Sequence, residues 1–220
     1  MNDTKDIQLF CSDCMNYLSK MNDKTVDCTI TDIPYGEVNR ENHGLRNLDV
    51  KDADITTFSL EKFTDEICRV TSGSIYIFCG ISQVSAIRAI MLKNKMITRL
   101  CIWKKTNPCP MNGKSVWLSG IECCVYGKFK GATFNENCKN TVFEHPIVRE
   151  KLHPTQKPVK LLEYFIKAST NEGDVVLDPC MGSGSTGVAC IHTNRKFIGI
   201  ELNKEYFKKA SIRLLSSDVD

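Results

Sequence analysis

Short apolar runs alternate with amphipathic stretches along the chain. The runs IQLFC (7–11), VDCTITD (26–32), SIYIFCG (74–80), RLCIWK (99–104), GIECCVYGK (120–128), DVVLD (174–178) and KFIGIEL (196–202) have strand length and β-branched or aromatic content. Between and after them, MNYLSKM, LEKFTDEICRV, SQVSAIRAIMLKN, KPVKLLEYFIKAS, GSTGVACIHT and NKEYFKKASIRLLSS space their apolar residues at helical intervals. Strands apolar on both faces, followed by helices, predict an α/β architecture with a parallel sheet covered on both sides. Two stretches break the rhythm. Residues 36–57 are polar and Asn-rich, which predicts a long mobile loop, and residues 104–157 hold one strand candidate among Pro, Asn and Gly. Loops this long inside a domain are usually functional or disordered.

The composition, with 42% hydrophobic and 25% charged residues over 220, is that of an ordinary globular chain, and one domain over 1–220 is expected. No signal-type apolar stretch follows Met1, and no run approaches the ~18 apolar residues of a membrane span, so a soluble cytoplasmic protein is expected. The twelve cysteines are scattered, several inside strand-like runs, and read as reduced and mostly buried. Cys11 and Cys14 form a C-x-x-C without a second pair or matching His spacing, so no metal is expected. The net charge of +3 conceals an asymmetry: residues 93–160 carry 13 Lys and Arg against four Glu and no Asp. A basic central third points to a polyanionic partner if the charges share a face, and otherwise to a solvated lysine-rich surface.

Residues 175–187, VVLDPCMGSGSTG, run from an apolar strand into a helix through Gly182, Gly184 and Gly187. That G-x-G-x-x-G spacing lets a backbone approach a ligand at a helix N-terminus. The next strand ends in Glu201, placed to accept both ribose hydroxyls of an adenosine group. A nicotinamide dinucleotide and S-adenosylmethionine both satisfy these features. Asp178, at the strand tip before the glycines, favours the second, because a carboxylate repels a pyrophosphate and attracts an ammonium. The sextet TDIPYG (31–36) ends another apolar strand in a carboxylate, a proline and an aromatic ring. By residue type alone it is either a plain turn or a site.

Taken together and in this order, FCSDC, TDIPYG, HPTQKP, LDPCMGSGSTG and GIELNKEYF resemble the permuted, β-class amino-methyltransferases that modify bases in DNA. The resemblance covers nearly the whole chain. It implies a Rossmann-like, doubly wound, mostly parallel seven-stranded sheet of the class I methyltransferase type, with the Asp178 strand beside the Asp32 strand. It implies S-adenosylmethionine as cofactor, held by Asp13, Cys14, Lys157, Asp178, Gly182, Gly184, Ser185, Thr186, Glu201 and Leu202. Asp32, Ile33, Pro34 and Tyr35 match the catalytic tetrapeptide. There Asp32 and the Ile33 carbonyl would accept the two hydrogens of an extruded base's amine, and Tyr35 would stack on the base. The family usually has proline where Ile33 stands, and the substitution is expected to leave the loop less rigid. Asp at the first motif position favours adenine N6 over cytosine N4.

DNA is the implied partner. Target reading is expected from a small basic region at about 108–150 and from the 36–57 loop, with Arg40, Arg46, Lys104, Lys105, Asn107, Lys114, Lys128 and Lys130 as candidate contacts. So small a reader predicts a short or relaxed site, or a homodimer that enlarges the contact. A cognate restriction enzyme would be a separate chain. His153 has no nucleophile in its sequence neighbourhood and receives no catalytic role.

Overall fold

The computed structural model describes residues 6–35, 58–110, 113–148 and 156–216. Among these residues eight strands form one sheet: β1 (Ile7–Cys11), β2 (Val26–Asp32), β3 (Thr71–Cys79), β4 (Ile97–Lys105), β5 (Ile121–Lys128), β6 (Val142–His145), β7 (Val175–Asp178) and β8 (Lys196–Glu201). Their order across the sheet is β1-β8-β7-β2-β3-β5-β4-β6. Only β5 runs antiparallel to its neighbours. The doubly wound α/β fold is as the sequence implies, but the sheet has one strand more than the expected seven. The addition is β6, whose half-exposed VFEH pairs with the end of β4 at the sheet edge. A four-residue edge strand needs no apolar run, so the hydrophobic pattern does not mark it.

Among the described residues six α-helices cover the two faces: α1 (Cys14–Leu18), α2 (Leu60–Val70), α3 (Val84–Lys93), α4 (Val159–Ser169), α5 (Ser185–His192) and α6 (Lys204–Leu215). Alternate strand residues feed two cores. On one face Ile30, Tyr76, Phe78, Trp103, Val176 and Phe197 meet α4, α5 and α6. On the other Ile75, Ile77, Val125, Leu177 and Ile200 meet α1, α2 and α3. The amphipathic stripe of α4 lays Phe165 flat on Tyr76, 4.5 Å between centroids, and edge-on to Phe143 at 4.8 Å.

The central pairing positions the site. β2 lies parallel to β7, with Cys28 opposite Val176 and Thr29 opposite Leu177. The chain leaves β7 through α5 on one face, while β3, which follows β2, is preceded by α2 on the other. This is a topological switch point, where open parallel sheets present a crevice at the carboxyl ends of their strands. The turn into α5 depends on two glycines. Gly184 adopts φ +77°, and a Cβ on Gly187 would lie 2.8 Å from both Leu214 and Phe197. Helix α5 can therefore pack tightly against α6 and β8.

All twelve cysteines are free thiols and most are buried, as expected. Among the described residues no helix is long and apolar enough to cross a membrane. The 36–57 loop, with Arg40 and Arg46, and His153 lie outside the described residues.

Candidate active site

A cleft of about 340 Å³ opens at the carboxyl ends of β2, β7 and β8 and is lined by the segments around Asp13, Asp32, Lys157, Asp178 and Glu201. Each segment arrives for a local reason. Asp13 caps α1, accepting a hydrogen bond from the Asn16 amide at 2.9 Å, so its carboxylate stands at the cleft wall beside the buried Cys14. Asp178 ends β7 and accepts from the Thr186 hydroxyl at 2.6 Å and the Cys180 amide at 3.1 Å. Burial drives its carboxyl up to about 7, against the pull of those hydrogen bonds, with the nearby Asp32 charge adding to the rise.

Glu201, at the end of β8, accepts from the Gly182 amide at 2.9 Å through Oε2 and from the Asn203 amide at 2.7 Å through Oε1. Burial raises its carboxyl, and these amides oppose the rise. Ser185 begins α5 behind the loop, within 3.2 Å of the Arg213 guanidinium. Leu202 is half-exposed on the rim. Every residue named for the cofactor therefore lies in or against one cleft, except Gly184, which serves the turn.

The tetrapeptide is tied to its neighbours by backbone bonds and by core packing. The Ile33 amide donates to the Phe78 carbonyl at 3.2 Å, extending the β2–β3 ladder by one residue, and its side chain is buried in the α1–α3 core. Proline has no amide hydrogen and could not make that bond. Where the family's proline would bring ring stiffness, Ile33 brings a ladder bond and core packing. Gln83 further ties the turn by donating to the Pro34 carbonyl at 3.1 Å.

Asp32 holds two partners of its own. The Tyr35 hydroxyl donates to Oδ1 at 2.8 Å, and the Lys157 ammonium lies 2.5 Å from Oδ2. Lys157 is 5% exposed and also meets Glu122 Oε2 at 3.0 Å. Glu122 in turn pairs through Oε1 with Lys105 at 2.9 Å. Burial raises the Asp32 carboxyl against the opposing pull of Lys157. Burial also works against the charge on Lys157, yet Asp32 and Glu122 hold its ammonium above its ordinary value. Glu122 is likewise desolvated, but Lys157 and Lys105 keep it below the usual carboxylate range.

Glu122 is absent from the residues singled out in the sequence. The available signal was an acidic residue second in the otherwise apolar strand IECCVY, since a buried carboxylate in a strand calls for a partner. The sequence implied a cofactor contact for Lys157; the structure sets its ammonium on the Asp32 carboxylate.

The candidate DNA contacts do not gather on one face. Lys128 ends β5 and Lys130 lies just beyond it; because β5 runs antiparallel, they sit at the end of the sheet's strands opposite Asp32. Lys105 is spent on Glu122, and Asn107 accepts from the Ile147 amide at 2.6 Å, fastening the chain after β4 to the chain after β6. Lys104 remains exposed at the cleft end, paired with Glu144 at 2.9 Å, and Lys114 is exposed on the β4–β5 connection. A surface around the cleft therefore draws on Lys104 and Lys114 but not on Lys128 or Lys130.

Residues 111–212 match the family model described as DNA methylase. The chain is 34% identical to the type II methyltransferase M.HpaI of Haemophilus parainfluenzae, over 95% of this chain and 74% of that protein. The chain belongs to the DNA methylase family. Over a shorter stretch, 36% of this chain and 29% of the relative, it is 47% identical to the DNA adenine methyltransferase YhdJ of Escherichia coli K12. Among solved structures, that of the M1.HpyAVI–SAM complex superposes with a TM-score of 0.74 at 29% identity, covering 94% of this chain and all of that one. Family membership makes the chain a DNA amino-methyltransferase of the S-adenosylmethionine-dependent type.

Proposed function

We propose that this chain methylates the N6 amine of an adenine flipped out of DNA, with Asp32 and the Ile33 carbonyl receiving the amine and the Asp178–Glu201 side of the cleft holding S-adenosylmethionine. The observation that carries the reading is the β2–β7 pairing, which sets Asp32 and Asp178 in one cleft although 146 residues separate them. The cleft suits the cofactor. Its volume falls within the range of small-molecule sites, and four carboxylates line it against one lysine that is already paired.

S-adenosylmethionine bound there supplies an electrophilic methyl on a sulfonium centre. Asp178 would receive its ammonium, Glu201 would offer the ribose hydroxyls the lone pairs left over from its two amide bonds, and Asp13 would serve the adenine ring. The adenine amine is a poor nucleophile because its lone pair is delocalised into the ring. Two acceptors set on one strand end draw its hydrogens aside and turn the lone pair outward. Pro34 keeps Ile33 extended and so fixes the direction of its carbonyl. Tyr35, its hydroxyl tied to Asp32, presents a ring against which the extruded base can stack. Asp at the first motif position, together with the adenine activity in the name of YhdJ, supports adenine over cytosine. We propose further that the small region at 108–150 reads a short site.

The test is to incubate the protein with S-adenosylmethionine and unmethylated bacterial DNA, then digest the DNA and measure its nucleosides by mass spectrometry. N6-methyladenine is the expected product. N4-methylcytosine would replace the base in this reading, and no methylated nucleoside would overturn it. For Glu201→Ala, loss of acceptors for the ribose weakens cofactor binding by roughly tenfold to a hundredfold, measured by calorimetry. An unchanged Kd would remove Glu201 from the cofactor site.

A further inference from the structure

Four side chains from four separate elements form a line of alternating charge beside the tetrapeptide. Asp32 ends β2, Lys157 precedes α4, Glu122 is second in β5, and Lys105 ends β4. The successive separations are 2.5, 3.0 and 2.9 Å, and all four groups are largely shielded from water. Tyr35 braces the line, its hydroxyl 2.8 Å from Asp32 Oδ1 and 3.3 Å from Glu122 Oε2.

We propose that Glu122 is a positioning residue for methyl transfer: by sharing the Lys157 ammonium, it keeps Asp32 only partly neutralised and therefore a strong acceptor for the target amine. This rests on the reading of Asp32 as the group that meets that amine. A buried lysine with a single carboxylate partner spends its whole charge on that partner, and a fully neutralised carboxylate is a weak acceptor. A second carboxylate at 3.0 Å divides the ammonium between two anions. Lys105, on the far side of Glu122, keeps that second anion charged in a shielded place. The line also ends where the 106–120 connection begins and returns, because the Lys105 amide donates to the Gly120 carbonyl at 2.8 Å. Glu122 and Lys105 are thus mounted on the two strands that the 106–120 connection joins, within the proposed target-reading region.

Among the described residues, the remaining ionisable groups that act on Asp32 are Asp178 from β7, Cys79 from β3 and Cys124 from β5. Burial pushes both thiols up, so they stay neutral through the working range, and substitution at Glu122 leaves Asp178 unchanged. Removing the Glu122 charge gives Lys157 wholly to Asp32 and holds Asp32 ionised to lower pH. In Glu122→Gln the acid limb of the single-turnover methylation rate therefore moves down by roughly one pH unit, and the plateau rate falls about tenfold. Lys157→Met moves the limb upward, and Glu122→Asp returns it most of the way to the wild-type position.

A lower rate in Glu122→Gln with an unmoved limb would assign Glu122 a merely structural part and overturn the proposal, as would an unchanged rate and limb. Asp32→Asn in the same assay separates the two levels. An inactive Asp32→Asn beside an unmoved Glu122→Gln limb removes Glu122 alone, whereas an active Asp32→Asn removes the reading of Asp32 itself.

Discussion

Replacing Asp32 by alanine is expected to cost roughly a thousandfold in the single-turnover rate of methyl transfer, while cofactor affinity stays within about tenfold. The separation follows from where the carboxylate sits. Asp32 stands at the β2 end of the cleft, and the groups proposed for the cofactor hang from β1, β7 and β8. The substitution does not strand Lys157 as a lone buried cation, because Glu122 remains 3.0 Å away. The usual large penalty for an unpaired buried charge is thereby avoided. Transfer of labelled methyl to DNA gives the rate, and calorimetry gives the affinity. Residual turnover above a few per cent of wild type would remove Asp32 from the reaction. A collapse in cofactor affinity would relocate it to the cofactor site.

The second large effect is a pH dependence of cofactor binding through Asp178. Its carboxyl is raised from 3.8 to about 7 by burial, so near neutrality the group is partly protonated in the protein alone. The ligand's ammonium requires the ionised form. Binding then releases a proton below about pH 7, and the Kd weakens by close to tenfold per pH unit on the acid side, levelling off above pH 8. Stability runs the opposite way. Because the folded value lies above the unfolded one, the contribution of Asp178 is fully present below about pH 4 and is lost as pH rises through about 7.

Bound cofactor offsets that loss, so cofactor raises the melting temperature more at pH 8 than at pH 6. In Asp178→Asn the binding pH dependence disappears and affinity stays weak throughout. The amide also turns a donor toward either the Thr186 hydroxyl or the Cys180 amide, both of which already donate to this site. Calorimetry in buffers of different ionisation enthalpy counts the released proton. A pH-independent Kd in the wild type would exclude Asp178 as the partner of the ammonium.

The parts legible in the sequence were those whose chemistry is local. TDIPYG, the glycine turn and the Glu201 strand each carry their residues within a few positions, and the structure brings all three to one cleft. Boundaries were legible where a pattern ended abruptly, as at β2 and α2. They were not where structure overrides punctuation. Thr71, Ser72 and Gly73 lie before the apolar run at 74–80 but form the start of β3 directly after α2, with Thr71 opposite Val26 and its hydroxyl 2.7 Å from that of Thr29.

Strand direction was the larger gap. Nothing in IECCVYGK says that it runs against its neighbours, yet that reversal brings Glu122 to Lys157 and carries Lys128 to the opposite end of the strands. Counting charge along 93–160 therefore overstated the basic surface near the cleft: Lys105 and Lys157 are consumed in buried pairs. Lys157 itself was visible as a motif residue, but its partner 35 positions upstream was not.

The strand order also dictates when the site can come into being. The edge strand β1, residues 7–11, pairs only with β8, residues 196–201, and β2 meets β7 across a comparable gap in sequence. During synthesis β1 must wait until β8 has emerged before its ladder can close. The half built from α2, β3, α3, β4 and β5 contacts its own neighbours in sequence and can form early. Pairings of such long range are slow to close, so the wall that carries Asp178 and Glu201 is completed last. Until then β1 offers an open edge to other chains.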